Sequence, residues 1–333
     1  MTQGIPASRY ILIGPTPPPF GGVSVYVSRL SKKLRGEGHH VSVVNPSALR
    51  GVRKLLALAR LVFDPREASI QLHAFDFSAM AAMIVRPFRK KLQYMDHNTA
   101  IYQRDLGRIR HYLFARVLRD SDEIVFVSRK AIDYYRGKGF KIAPHVQVRS
   151  PFLPPSLEDE GRIVATYSAE TKKFVETHSP LLIANASAIL FYGDVELYGL
   201  DMCVDLVARL KPDFPRIGMV FAIADATINA DYIETVRRRI VEAGIQDNFH
   251  FLTGQRELWP LFRVADLMLR PTSDDGYGIS LAEAISFDCA ALASDVTGRP
   301  NGTSVFQSRN ADAFYERAVA LLRSRKLKKG VPT

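Results

Sequence analysis

The sequence predicts an α/β protein of two Rossmann-like, doubly wound domains, on three observations. Short apolar runs of strand length alternate with amphipathic stretches of helix length along the whole chain. The alternation is interrupted once, by a proline-rich stretch over residues 144–155 followed by the acidic Glu158-Asp159-Glu160. The 333 residues are enough for two domains of ordinary size. The expected division is therefore residues 1–160, a joining region with a helix over 164–178, and residues 178–310. A last helix over 312–322 and a basic tail make up residues 311–333.

In the first domain, residues 9–14 (RYILIG) read as a buried strand. The loop PTPPPFGG and a basic helix ended by Gly36 and Gly38 follow, and then a strand over 40–44. This is a strand, glycine loop, helix and strand unit, but the dinucleotide fingerprint Gly-x-Gly-x-x-Gly is absent, which argues against a dehydrogenase. Residues 52–63 and 80–91 read as basic amphipathic helices, suited to an anionic membrane or to packing on the sheet with solvated cations. Residues 92–95 form a strand ending at Asp96-His97-Asn98. His97 is thereby a candidate site residue, because ligands of such sheets bind outside the carboxyl ends of the strands. His73, after another strand, is a weaker one. Asp120-Ser121-Asp122 has the Asp-x-Asp pattern of metal sites but stands at a strand entrance, the wrong end, so no metal is expected there.

In the second domain, strands are expected over 181–184, 189–192, 217–223, 249–253, 264–269 and 289–294. Helices are expected over 199–209, 230–243, 257–263 and 279–287. The chemistry concentrates in residues 270–303, RPTSDDGYGISLAEAISFDCAALASDVTGRPNGT. Gly276 and Gly278 turn the backbone tightly and leave it bare. The first N–H groups of the helix that follows have no partner inside it and suit a phosphate. Asp275 in the loop and Glu283 in the helix supply carboxylates beside that phosphate, the combination a nucleotide sugar requires. The alternatives are a turn role for Asp275 and a helix charge pair for Glu283.

Composition bounds the rest. The hydrophobic share of 47% and the charged share of 24% are those of a globular chain. Cys203 and Cys289 sit in apolar contexts and read as buried thiols in a reducing cytoplasm. The N-terminal stretch has no charged segment leading into a long apolar core, so no secretion signal is expected, and no apolar run reaches membrane-span length. Residues 1–150 hold 25 Lys and Arg against 10 Asp and Glu, net +15, whereas residues 151–333 hold 20 against 24, net −4. The first half is expected to meet an anionic partner, a membrane surface or a pyrophosphate-linked lipid, or to carry a plain solvated basic surface. Its aromatics do not interleave with its basic residues as a base-stacking platform would, so nucleic acid is not expected.

Asp275-Gly276-Tyr277-Gly278 followed by Glu283-Ala284 resembles the acid-x7-acid motif of family 4 retaining glycosyltransferases, which have the GT-B fold. Arg270-Pro271-Thr272 before the acidic loop and Arg299-Pro300-Asn301-Gly302-Thr303 after it sharpen the resemblance to bacterial polysaccharide glycosyltransferases. So do the segments over 198–201 and 254–260. The resemblance implies two domains facing a cleft that holds the donor, and transfer of a sugar with retention, without metal or cofactor. The acceptor would be a lipid-linked or growing glycan, and the enzyme cytoplasmic and peripheral on the inner face of the plasma membrane. It implies that Gly21 and Gly22 face the donor from the first domain, with His97 near the donor sugar. Asp275 would hold sugar hydroxyls and Glu283 the ribose. The backbone of Tyr277, Gly278, Ile279, Ser280 and Leu281 would face the phosphates beside Gly276. Thr253 and Gly254 would border the base, with Gln255 next to them. The family's usual first acid is Glu. Its Arg and Lys after the first strand of the second domain are replaced here by Gly193-Asp194-Val195-Glu196-Leu197-Tyr198-Gly199, so Arg256 or Arg270 and a hydrogen bond from Tyr198 are expected in their place. The rival readings are a nucleotide-sugar epimerase of the same fold and a non-catalytic sugar-nucleotide-binding partner of a polysaccharide assembly.

Overall fold

A computed structural model describes residues 8–18, 20–86, 90–97 and 106–328. The chain divides into two compact units between Leu153 and Pro154. In the first, strands β1 (Arg9–Ile13), β2 (His40–Val44), β3 (Ala68–Leu72), β4 (Lys90–Asp96), β5 (Glu123–Phe126) and β6 (Val146–Val148) form one parallel sheet in the order β2-β1-β3-β4-β5-β6. Ile11, Leu12 and Ile13 are fully buried because both faces of the sheet are covered. One face carries α2 (Gly51–Phe63), α3 (Phe77–Ile84), α4 (Gly107–Asp120) and α5 (Arg129–Gly137), packed through Leu58, Met80, Phe114 and Tyr135. The other carries α1 (Gly22–Gly36), packed through Tyr26, Val27 and Leu30.

The second unit has the sheet order β11-β10-β7-β12-β13-β14, also parallel, from β7 (Leu181–Ala188), β10 (Gly218–Asp225), β11 (Phe249–Thr253), β12 (Leu267–Arg270), β13 (Ala290–Ser294) and β14 (Thr303–Phe306). Numbered within the unit this is 3-2-1-4-5-6, the doubly wound order, whose direction reverses between β7 and β12. Helices α8 (Leu200–Leu210), α9 (Ala230–Glu242) and α12 (Ala311–Lys328) bury Leu206, Ile240 and Phe314 on one face. Helices α6 (Glu160–Val164), α10 (Trp259–Phe262) and α11 (Ile279–Ser286) bury Ile163, Trp259 and Ala284 on the other.

Four expected elements differ. Residues 80–91 are not one helix. α3 ends at Ile84, and Lys90 opens β4, where it is buried and donates to the carbonyls of Leu61 and Val62. Pro87 disfavours helical backbone at Arg86, and residues 87–89 lie outside the described residues. Residues 189–192 are not a sheet strand: β7 already runs to Ala188, and Phe191–Tyr192 (β8) pairs with Val195–Glu196 (β9) in a small hairpin. The helix expected over 164–178 is shorter: α6 ends at Val164, and only α7 (Ala169–Thr177) lies within that span, capped by Ser168 accepting from Thr171 N at 3.1 Å. β12 starts at Leu267 rather than 264, because Val264 and Ala265 still close the turn of α10.

Candidate functional site

The loop between β12 and α11 leaves the carboxyl end of the sheet beside the point where strand order reverses. Its centre is Asp275, with a side chain only 9% exposed. Arg270 donates through Nε to Oδ2 (2.5 Å) and through Nη2 to Oδ1 (3.0 Å), a bidentate pair. Arg299 donates through Nη1 to Oδ2 (2.5 Å), and Gly276 N donates to Oδ1 (2.9 Å). Burial works against the charge, but the Arg270 and Arg299 guanidiniums outweigh it and hold the carboxyl at about 2. Both carboxylate oxygens are therefore taken up by arginines. Asp275 was expected to hold sugar hydroxyls; in this structure it is the counter-ion that fixes the loop.

Arg299 completes the clamp. Nε donates to the Ser294 carbonyl (2.8 Å), and Nη2 donates to Thr272 Oγ1 (3.1 Å) and Ser294 Oγ (3.0 Å). One side chain thus ties the exits of β12 and β13 to the acidic loop. It was not expected in the site, although it stands in the Arg-Pro-x-Gly-Thr motif. Gly278, at φ +81°, is left-handed, and a Cβ there would meet Leu281 Cδ1 at 2.8 Å and Arg299 Nη1 at 3.2 Å. Next come the first amides of α11, at Ile279 and Ser280, and the buried Ser280 Oγ, which takes no partner among the described residues. Leu281 is buried, and so is Glu283 one turn on. Tyr277 and Gly276 form the loop tip, where Thr297 Oγ1 donates to the Gly276 carbonyl at 3.2 Å.

Around this loop the same sheet edge gathers the other residues expected in the second domain. Tyr198 shares a hydrogen bond with Ser187 at 2.8 Å, and the Arg270 guanidinium lies 5.9 Å from its ring centre. Tyr198 is set by Glu196, a buried acid that sequence reasoning passed over. Its carboxylate accepts from the amides of Tyr198 and Leu200, both at 2.7 Å, across a left-handed Gly199. Burial pushes its pKa above the ordinary carboxyl value. Thr253, Gly254 and Gln255 are exposed at the end of β11, with Gln255 Nε2 donating to the Ala224 carbonyl at 3.0 Å. Of the two cations expected to replace the absent pair, Arg256 is turned onto the carbonyls of Thr253 and Thr166. Arg270 keeps Nη1 without a partner among the described residues, so Arg270 is the better placed.

In the first unit, strand order reverses between β1 and β3. His73, just past β3, donates its backbone N–H to the Ile13 carbonyl (2.8 Å), and its Nδ1 lies 3.1 Å from His97 Nε2. The Tyr26 ring packs on both imidazoles, at 5.4 and 5.1 Å between centres. His97 is therefore half of a histidine pair, and His73 is its partner rather than a lesser candidate. One ring must donate and the other accept, so at least one of the two is neutral. Burial, aided by Arg149, holds His97 at about 3, and burial holds His73 well below the usual imidazole value. Folding thus requires two uncharged histidines that the unfolded chain protonates below about pH 6.5. Stability contributed by the pair is full above that pH and falls as pH drops toward 3. Relative to the double variant His73→Asn/His97→Asn, the wild type should lose about 2–3 kcal/mol more between pH 6.5 and 5. Urea titrations at the two pH values measure it, and equal losses would refute it. Gly21 and Gly22 open α1. Gly21 is extended, and Ser24 Oγ accepts from its N–H (3.0 Å) and donates to its carbonyl (3.1 Å). A Cβ at Gly21 would meet nothing within 4 Å, so packing inside the chain does not demand glycine there.

Asp120 and Asp122 serve structure. Asp120 takes Arg116 and Arg119, and Asp122 accepts from Leu92 N (2.7 Å) and Arg86 Nη2 (3.1 Å). Both cysteines are buried free thiols.

Comparisons with known proteins agree with this architecture. Residues 186–324 match the family model described as Glycosyl transferases group 1. The lipopolysaccharide glucosyltransferase WaaG of Escherichia coli K12 is 22% identical over 307 residues, covering 84% of this chain and 78% of that protein. Among solved structures, Anabaena Alr3699/HepE in complex with UDP and glucose superposes with a TM-score of 0.69 at 12% identity, covering 96% of this chain and 91% of that one. A WaaG structure, described as a glycosyltransferase involved in lipopolysaccharide biosynthesis, superposes at 0.62 with 17% identity, covering 96% and 91%. Two parallel six-stranded sheets with flanking helices, these neighbours and the matched region, which contains the whole clamped loop, support a GT-B glycosyltransferase.

Proposed function

We propose that this chain transfers a sugar from a nucleotide sugar to a hydroxyl of a lipid-linked or growing glycan, with retention and without a metal. The observation that carries the reading is the clamped loop. The buried Arg270–Asp275–Arg299 cluster fixes a bare turn whose next amides, at Ile279 and Ser280, open a helix that buries Glu283 one turn later. Preorganised N–H donors at a helix start stabilise a diphosphate most as it leaves and gains charge. The leftover Nη1 of Arg270 adds a cation beside them. Glu283 then holds the ribose, and Thr253, Gly254 and Gln255 border the base. Relatives and neighbours named for glucosyl transfer, or solved with UDP, UDP and glucose, or UDP-glucose, support a nucleotide-sugar donor. Retention follows if the acceptor attacks from the leaving-group face. The acceptor oxygen bonds to the anomeric carbon as the bond to the phosphate breaks, and the departing phosphate oxygen takes the acceptor's proton. No side-chain nucleophile is then needed, consistent with an Asp275 whose carboxylate is already bound on both oxygens.

The test is release of free nucleotide from UDP-, GDP- and other nucleotide sugars with lipid-linked acceptors in EDTA. Wild type should turn over one donor, and Glu283→Gln should lower kcat/KM by about 100-fold or more, the effect of removing a buried charged contact to substrate. Failure to bind any nucleotide sugar would sink the reading. A second reading, binding without transfer, is favoured by one observation: the hairpin over residues 191–196 carries Asp194 and Glu196 where the family's cations are expected. Binding of one donor without turnover across the acceptor panel would select it. Epimerised donor in the absence of acceptor would select an epimerase.

A further inference from the structure

His73 and His97 stand just past two strands that lie side by side, β3 and β4, and only one of them is placed to reach a ligand. His73 is 4% exposed. It is seated against Gly14 at the exit of β1, where a Cβ would meet His73 Cβ at 3.0 Å. The Ile13 carbonyl takes its backbone N–H, and the Tyr26 ring packs against its imidazole. His97 is half-buried under the same Tyr26 ring, and its Nδ1 takes no partner among the described residues. Any part His73 plays in chemistry therefore passes through the 3.1 Å contact between its Nδ1 and His97 Nε2.

In that contact one nitrogen carries the proton and the other is bare. If His97 donated, a neutral His73 would hold its own proton on Nε2. That atom is buried without a partner among the described residues, and a buried N–H without an acceptor is rare in folded proteins. If His73 donates, its Nε2 is a bare nitrogen and no N–H is stranded. His97 then accepts at Nε2 and, being neutral, carries its proton on Nδ1, the nitrogen left for a ligand. The hydrogen bond at one ring nitrogen thus decides what the other presents. The free side chain prefers its proton on Nε2, so without His73 the ring would offer a bare nitrogen instead.

We propose that His73 is a positioning residue: by donating from Nδ1 it holds His97 with its proton on Nδ1, so that His97 presents an N–H to the oxygen of a sugar hydroxyl. The place suits a ligand, because it lies outside the carboxyl ends of the strands, next to the reversal of strand order at β1 and β3. Tyr26, packed on both imidazoles from α1, keeps the two rings in register while the bond forms. The sugar rests on the transfer reaction proposed above; the tautomer does not, and it is read without substrate.

Long-range proton–nitrogen NMR correlation on the full chain, labelled with nitrogen-15 histidine, reads the tautomers directly, with His97→Gln and His73→Asn assigning the signals. His97 should show a bare Nε2 and a protonated Nδ1, and His73→Leu should move the proton to Nε2. A protonated His97 Nε2 in the wild type would overturn the proposal. Should His73→Leu fail to fold, the wild-type signals decide alone. His73→Asn keeps a donor N–H near the place of Nδ1, whereas His73→Leu keeps the bulk without one. With the donor that the wild type turns over in the nucleotide-release assay, His73→Leu should lower kcat/KM about tenfold and His73→Asn at most about twofold. Affinity for the free nucleotide should be unchanged in both. A loss that extends to donor hydrolysis without acceptor would set the hydroxyl on the donor, and a loss confined to transfer would set it on the acceptor. Equal losses in the two variants would reduce His73 to packing and overturn the proposal. Absence of any turnover by the wild type would count against the transfer reading instead, and the tautomer signals would still decide whether His73 sets His97.

Discussion

Asp275→Asn should destabilise the second unit by about 3–5 kcal/mol, the cost of breaking a buried ion pair from one side. Arg299 is the reason for so large an effect. Its side chain is 3% exposed, and its four hydrogen bonds tie it to Ser294 and Thr272 as well as Asp275. It cannot swing out to water, and a guanidinium does not shed its proton. The amide of asparagine keeps one acceptor but removes the charge that two cations share. The same cluster gives a pH signature. The folded carboxyl sits at about 2 against an ordinary 3.8, so its stabilisation is present above about pH 4. It is lost as pH falls from there through 2, by about 2 kcal/mol. Urea unfolding followed by Trp259 fluorescence, which reports on the second unit, measures both. A midpoint within error of wild type at pH 7, or an acid limb of the same steepness in the variant, would show that the cluster does not hold the loop. Loss of donor binding would accompany the loss of stability, because Gly276 N and the approach to Ile279 are set by the same carboxylate.

How much of this was written in the sequence depends on the range of the interactions. Strands β1, β2 and β11, buried or half-buried runs bounded by turn residues, were legible because their apolar pattern is local. The loop with Gly276 and Gly278 and the buried Glu283 were legible for the same reason, as spacing within one short segment. The role of Asp275 was not. An acid before two glycines reads as a ligand for hydroxyls, and what redirects it is Arg299, which arrives 24 residues later from the exit of β13. Lys90 misled in the same way: four basic residues after an apolar run look like the polar end of a helix. Instead the lysine is buried where it finds the carbonyls of Leu61 and Val62, a contact across 28 and 29 residues. The hairpin over 191–196 was hidden because Ile189, Leu190, Phe191 and Tyr192 have strand composition. Only the length of β7 shows that the sheet strand has already ended. The histidine pair could have been found, since both follow strands that lie side by side.

Gly199→Ala should cost about 3 kcal/mol or more and should also impair donor binding, and a second glycine separates the causes. Gly199 is left-handed at φ +71°, and alanine there loses about 1 kcal/mol from backbone conformation alone. Its added methyl would stand 2.4 Å from the Pro271 carbonyl oxygen and 2.7 Å from Pro271 Cγ. The carbonyl is backbone, so no rotamer change relieves the contact. Retreat on one side would pull the amides of Tyr198 and Leu200 off the buried Glu196 carboxylate. Retreat on the other would shift Pro271, which lies between Arg270 and Thr272, both members of the Arg299–Asp275 clamp. Either way the strain enters the loop that presents Ile279 and Ser280. Gly244, at φ +64°, is equally left-handed, but a Cβ there meets nothing within 4 Å. Gly244→Ala should therefore cost only the backbone share, about 1 kcal/mol, and leave nucleotide-sugar affinity unchanged. Urea midpoints of the two variants, together with calorimetric binding of the donor, separate backbone conformation from steric contact. Equal costs for the two glycines would mean that Pro271 yields freely, and that the close packing of Gly199 against Pro271 does not shape the site.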